Sequence, residues 1–101
     1  MSKPLKWKRS EFGTYADSPT ELLRYYVNRE GRRWTLEVFR TIETSGIRTV
    51  KPGANAVDAD RYHETARLAK AVAEAYDAEP LHDGPQNRMT RAVDRGYTAA
   101  H

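Results

Sequence analysis

The chain contains no cysteine. That removes disulfides, thiolate nucleophiles and cysteine-ligated metal, and it fits a reducing compartment, so a cytoplasmic location is expected. It has no apolar run of about 18 residues, so no membrane span is expected. Its basic start, MSKPLKWKRS, lacks the apolar stretch of a secretion signal. Histidine is scarce. His63, His82 and His101 lie nineteen residues apart at each step, which is not a ligand spacing. The glycines at 31, 46 and 53 are isolated turn residues, not a loop that cradles phosphate. Ser10, Ser18 and Ser45 lack a strand-turn-helix elbow. Asp58-Ala59-Asp60 is not followed by the rest of a calcium loop and reads as a helix cap. His63 beside Asp60 or Glu64 can be drawn as a base with its orienter, but no second catalytic group accompanies it, and it reads as an exposed first-turn histidine. The expectation is a protein that is not an enzyme and uses no cofactor or metal.

What is present is charge, unevenly placed. The 101 residues carry 17 Lys and Arg against 14 Asp and Glu, with a mean hydropathy of −0.85. Residues 1–51 are net +5, residues 52–86 net −4 and residues 87–101 net +2. A basic first half suggests an anionic partner, and complementarity between two packed layers explains the same pattern. The length allows one domain with a modest core.

Period-two patterning dominates the first half. Residues 5–9, LKWKR, alternate apolar and basic, as a half-buried strand does, and Phe12 to Tyr15 can continue it past Gly13. RYYVNREGRRWTLEVFR, residues 24–40, reads as a hairpin. With Glu30-Gly31 as a two-residue turn, Val27 faces Trp34, Tyr25 faces Leu36 and Leu23 faces Val38 on one side. Arg24 then faces Glu37, Tyr26 faces Thr35 and Asn28 faces Arg33 on the other. Residues 43–57 read as a long loop holding a short strand at Ile47–Val50. Residues 60–79 read as a helix capped by Asp60 or Asp58, with Tyr62, Ala66, Ala69, Val72, Ala73 and Tyr76 on its buried stripe, ended by Pro80. Residues 81–101 read as a linker and a short marginal helix or flexible tail. The fold class expected is therefore α+β. A three- or four-stranded antiparallel sheet packs on one α-helix (β-β-β-α) over residues 1–80, with the marginal C-terminal helix or tail after it.

The hairpin's buried side needs no functional explanation. Its outer side does. Arg24, Tyr26, Arg32, Arg33, Thr35 and Arg40 are the candidate binding residues, with Arg29, Lys6, Lys8 and Arg9 adding charge. Arginine contacts phosphate and pairs bidentately with guanine, and a sheet can enter the major groove. Arginine and aromatic residues are also those enriched at protein interfaces, here with Tyr26, Phe39 and Leu22. The residues thus leave two partners open, DNA or a host protein, and an exposed edge strand leaves room for a homodimer.

The succession of Trp7, Gly13-Thr14-Tyr15, RYYV, RRWTLEVF and ARLAKAVAEAY resembles short accessory proteins encoded by actinobacteriophages. It also loosely resembles the arm-binding N-terminal domain of phage tyrosine integrases. The resemblance spans residues 7 to 79 and rests on short motifs. It implies a three-strand-plus-helix order with the sheet in the major groove, placing Arg24, Tyr26, Arg33 and Thr35 on the DNA side, in the host cytoplasm. The long 43–57 loop, the acidic helix and the extra tail depart from the integrase pattern.

Overall fold

The computed structural model describes residues 4–79 and 85–100. It is an α+β fold with six strands and two helices: β1 (Lys8–Arg9), β2 (Gly13–Asp17), β3 (Leu23–Glu30), β4 (Arg33–Thr44), β5 (Ile47–Val50), β6 (Asp58–His63), α1 (Ala66–Ala78) and α2 (Pro85–Ala100). The sheet runs β1-β2-β3-β4-β5, with β6 also pairing β4, and every pairing is antiparallel. β4 is the twelve-residue spine of this curled sheet: its first half pairs β6 and its last four residues pair β5.

Alternation sorts the central strands as expected, but the hairpin register differs. Gly31 and Arg32 form the turn, so Val27 faces Leu36, Tyr25 faces Val38 and Arg24 faces Phe39. The whole pairing has moved by two residues, which keeps every side chain on its expected face and changes its partner. Gly31 has φ 63° at the first central position of a two-residue turn, where a primed turn wants a residue free to take positive φ. Arg24 therefore does not pair with Glu37. At the other end of β4, Ser45 and Gly46, with φ 53° and 79°, turn the chain into β5. The short strand expected at Ile47–Val50 is β5, and because β4 runs on to Thr44 the true loop extends only from Lys51 to Val57.

The helix begins later than the sequence suggests. Residues 58–63 are strand β6, and α1 starts at Ala66 with Thr65 as N-cap, its side chain accepting from the Leu68 amide at 3.1 Å. The edge of β4 offers 58–63 a ladder of backbone hydrogen bonds, and tertiary pairing outweighs a stripe supported at that end by Tyr62 alone. Tyr62 lies outside the helix and is exposed, while His63 is buried.

Tyr25, Val27, Leu36 and Val38 meet Ala69, Val72, Ala73 and Tyr76 of α1 to form the core. Leu5 and Ala16 close one side. α2 is a full sixteen-residue helix, and Met89 and Ala92 belong to the core cluster. Gly96, which looks like a helix breaker, is a point of close approach between the helices. A Cβ there would stand 2.7 Å from the backbone of Val72. Of the linker expected at 81–86, Pro85 and Gln86 instead begin α2, and 81–84 lie outside the described residues.

Candidate nucleic-acid or partner interface

The helices cover one side of the sheet and leave the other open. On the open side, facing residues form rows across β2, β3 and β4: Tyr15, Tyr26 and Glu37 in one, Asp17, Arg24 and Phe39 in the next. Tyr26 is the hub. Its ring centroid lies 5.9 Å from that of Tyr15 and 5.4 Å from that of Phe39, the latter pair at 88°. Such offset and edge-to-face contacts suit the aromatic quadrupole.

The six sequence candidates do not form one basic face. Arg24 is on the open side, but it is committed. Its Nε donates to Asp17 Oδ1 at 2.7 Å, a second nitrogen reaches Asp17 Oδ2 at 3.3 Å and the Arg48 carbonyl at 3.0 Å, and its guanidinium lies 4.8 Å over the Tyr15 ring. The hydrogen bond to Asp17 raises its already high pKa. Thr35 bonds the Asn28 carbonyl at 3.4 Å. Arg33 is exposed at the strand end, 5.4 Å over the Tyr62 ring, and Arg32 is exposed in the turn. Arg40 faces Leu23, the opposite parity from Tyr26, so it leaves the proposed surface and lines a cleft with Lys51 to Asn55 and Val57. Arg29 shares that parity. It sits exposed beside the turn, its Nε donating to the Gly31 carbonyl at 3.1 Å.

The arginines that charge counting treats alike fall into two sets. Arg24, Arg48, Arg88, Arg91 and Arg95 hold Asp17, Glu43, Glu21 and, for the last two, Glu79. Among the described residues Arg9, Arg29, Arg32 and Arg33, like Arg40 and Arg67, are exposed and make no ion pair with a carboxylate. Arg29, Arg32 and Arg33 lie at or beside the β3–β4 turn, and Arg9 lies two strands from β3, in β1, facing Thr14 in the row of Val27 and Leu36. The Arg29 amide donates to the Phe12 carbonyl at 3.0 Å, which ties the β1–β2 loop to the β3–β4 turn. Phe12 and Tyr62, 67% and 45% exposed, stand at the turn end of the sheet.

Beneath the sheet lies a buried polar seam that sequence reading missed. Arg88 of α2 is 5% exposed. It forks onto both Glu21 oxygens at 3.0 and 2.6 Å, donates to the Tyr76 carbonyl at 2.9 Å and lies 4.1 Å over the Tyr76 ring. Burial lowers its pKa, but the hydrogen bonds and charge of Glu21 outweigh that and leave it raised. Asp77 Oδ1 accepts from Tyr25 at 2.7 Å and Ser18 at 2.5 Å. Burial, then the Asp77 charge, push the Tyr25 hydroxyl up, and burial pushes Tyr76 up to about 12. Burial also raises Asp58 above the usual carboxylate range. Each of these shifted groups is tied to a neighbouring element, so the seam is a clamp between layers. The sequence signal for it was Met89, Ala92, Val93, Gly96 and Tyr97 at helical spacing, which places Arg88 beside the buried stripe.

His63 is 1% exposed. Its Nδ1 lies 2.7 Å from the Tyr97 hydroxyl. Asp60 Oδ2 is 3.0 Å from Nε2, but off the direction of a well-formed hydrogen bond. Burial lowers the histidine pKa against the opposing pull of Asp60. Among the described residues no three potential metal ligands converge, and no helix is long and apolar enough to cross a membrane. No protein-family model, curated protein or solved structure matches the chain.

Proposed function

We propose that this protein is a small non-enzymatic binding domain that contacts DNA through the end of its sheet where the β1–β2 loop, the β3–β4 turn and β6 meet. The observation that carries this reading is the grouping of Arg29, Arg32 and Arg33 at the β3–β4 turn, exposed and, among the described residues, without an ion-paired carboxylate, with Arg9 further along in β1, while five other arginines hold carboxylates. Unpaired exposed guanidiniums can neutralise phosphate and release its counterions. Phe12 and Tyr62 beside them offer rings to sugars and bases. Glu11 and Glu30 at the same end keep its net charge modest, so binding should be weak and steeply salt-dependent. The phage resemblance adds an accessory role on host DNA. Fluorescence anisotropy with a labelled mixed-sequence duplex tests this at low and physiological salt. With three or four phosphates neutralised, log K should fall against log salt with a slope of about −3. The double variant Arg32→Glu/Arg33→Glu should lose binding and keep the fold. A wild-type chain that binds no duplex at low salt overturns the reading.

A second reading is favoured by the aromatic hub on the open side. Tyr15, Tyr26 and Phe39 carry no covering layer, and aromatic residues in a polar rim are the usual anchors of a protein interface.

A further inference from the structure

We propose that the open side of the sheet holds a cation-accepting corner, made by Tyr26, Glu37 and Phe39, that receives a lysine or arginine side chain of a protein partner. This rests on the second reading and supplies the partner's chemistry.

The sheet already contains one such arrangement, filled from within. In β2, Tyr15 and Asp17 point to the open side two residues apart, and Arg24 of β3 lies over the ring and on the carboxylate. In β4, Glu37 and Phe39 repeat the ring-and-carboxylate spacing on the same side, in the same two rows. There the place of the guanidinium is taken by the Tyr26 ring, which stands at 88° to Phe39 with centroids 5.4 Å apart. Two perpendicular rings make two walls of a corner, and Glu37 faces Tyr26 across the strand pair. Asp17 and Glu43, the other carboxylates on this side of β2 and β4, each hold an arginine. Glu37 is half-buried, and among the described residues no Lys or Arg makes an ion pair with it, Arg24 in the neighbouring row being held by Asp17. The residues frame an open cleft of about 280 Å³, completed by Asn28 and Val50. It is roomy enough for a guanidinium or a methylated ammonium head. Ring faces attract such cations, Glu37 supplies the countercharge, and Asn28 can bond a donor head group. A phosphate-bearing ligand would meet the Glu37 carboxylate, so the corner selects against nucleic acid and lies apart from the arginine end.

The test uses the full isotope-labelled chain and three capped peptides that differ at one central residue: trimethyl-lysine, arginine or norleucine. Saturable NMR shifts at Tyr26, Asn28, Glu37, Phe39 and Val50 are expected with either cationic peptide and not with norleucine. Glu37→Gln should weaken the cationic peptides by roughly tenfold, and Phe39→Leu should weaken them as well. Glu30→Gln, at the exposed turn, should change nothing. Arg32→Glu/Arg33→Glu should leave peptide binding intact, which separates the corner from the DNA-binding end. Equal shifts with norleucine would overturn the cation assignment while leaving a protein-docking face. So would full affinity in Glu37→Gln. Silence from all three peptides would overturn both.

Discussion

Arg88 and Arg32 have the same side chain and opposite situations. Arg88 is buried, doubly bonded to Glu21, bonded to the Tyr76 carbonyl and laid over the Tyr76 ring. Arg32 stands in solvent at a hairpin turn. The first joins the β2–β3 loop, α1 and α2, and the second joins nothing among the described residues. An arginine's contribution is set by what its removal would leave behind. Beneath the sheet that is a half-desolvated carboxylate and an orphaned carbonyl. At the turn it is water. Only the second kind of arginine is available to a partner, which takes Arg24 out of the proposed DNA contact; Arg40 is exposed but faces Leu23 at the opposite end of the β3–β4 pairing from the turn.

The comparison can be broken most sharply at Arg88. Arg88→Ala should cost about 3–5 kcal/mol in a urea titration, because Glu21 stays largely buried without its cation. A loss below about 1 kcal/mol would mean that α2 is not clamped as described. Gly96→Ala tests the same layer without touching charge. Its Cβ would press on the Val72 backbone, and a loss of about 1–3 kcal/mol is expected, with the helices driven apart. His63 comes next. Its folded pKa lies below the unfolded value of about 6.5, so on acidification the unfolded chain takes up the proton first. Stability should therefore hold above about pH 6.5 and fall as pH drops from there toward the folded value. Asp58, raised in the fold, works in the opposite sense: its contribution is present at low pH and fades as pH rises past the ordinary carboxylate value. Denaturation midpoints should slope upward with pH just below pH 6.5 more steeply than in His63→Gln, and equal slopes in the two chains would contradict a buried neutral His63. The smallest effect belongs to the exposed set. Arg32→Glu/Arg33→Glu should shift stability by less than about 0.5 kcal/mol while removing salt-dependent DNA binding. A large stability loss would place these two among the structural arginines after all.

Legibility followed locality. The two faces of β3 and β4 were readable because period-two alternation depends only on neighbours along the chain. The pairing of those strands was not, since shifting the turn by one residue moves the register by two and sorts the faces identically. Gly31's positive φ decides between them. Residues 60–64 have a plausible helical stripe, yet the free edge of β4 claims them. Gly96 reads as a breaker in isolation and is a point of close approach once Val72 lies opposite. Tyr26 was identified as a surface aromatic, but its company of Tyr15 and Phe39 depends on cross-strand rows, and the isolation of Glu37 depends on Arg24 choosing Asp17.

What the sequence determined by itself is the α+β class, the core residues Tyr25, Val27, Leu36, Val38, Val72 and Tyr76, the hairpin and the body of α1. All of these follow from periodicity and turn chemistry acting over a few residues. Tertiary structure alone decided which arginines are spent and which are free, where β6 ends and α1 begins, and that residues 85–100 belong to the core. The physical reason is the same for each. Burial and pairing are properties of two segments at once, and the energy that settles them, the desolvation of a charge or the satisfaction of a strand edge, does not exist until the partner arrives.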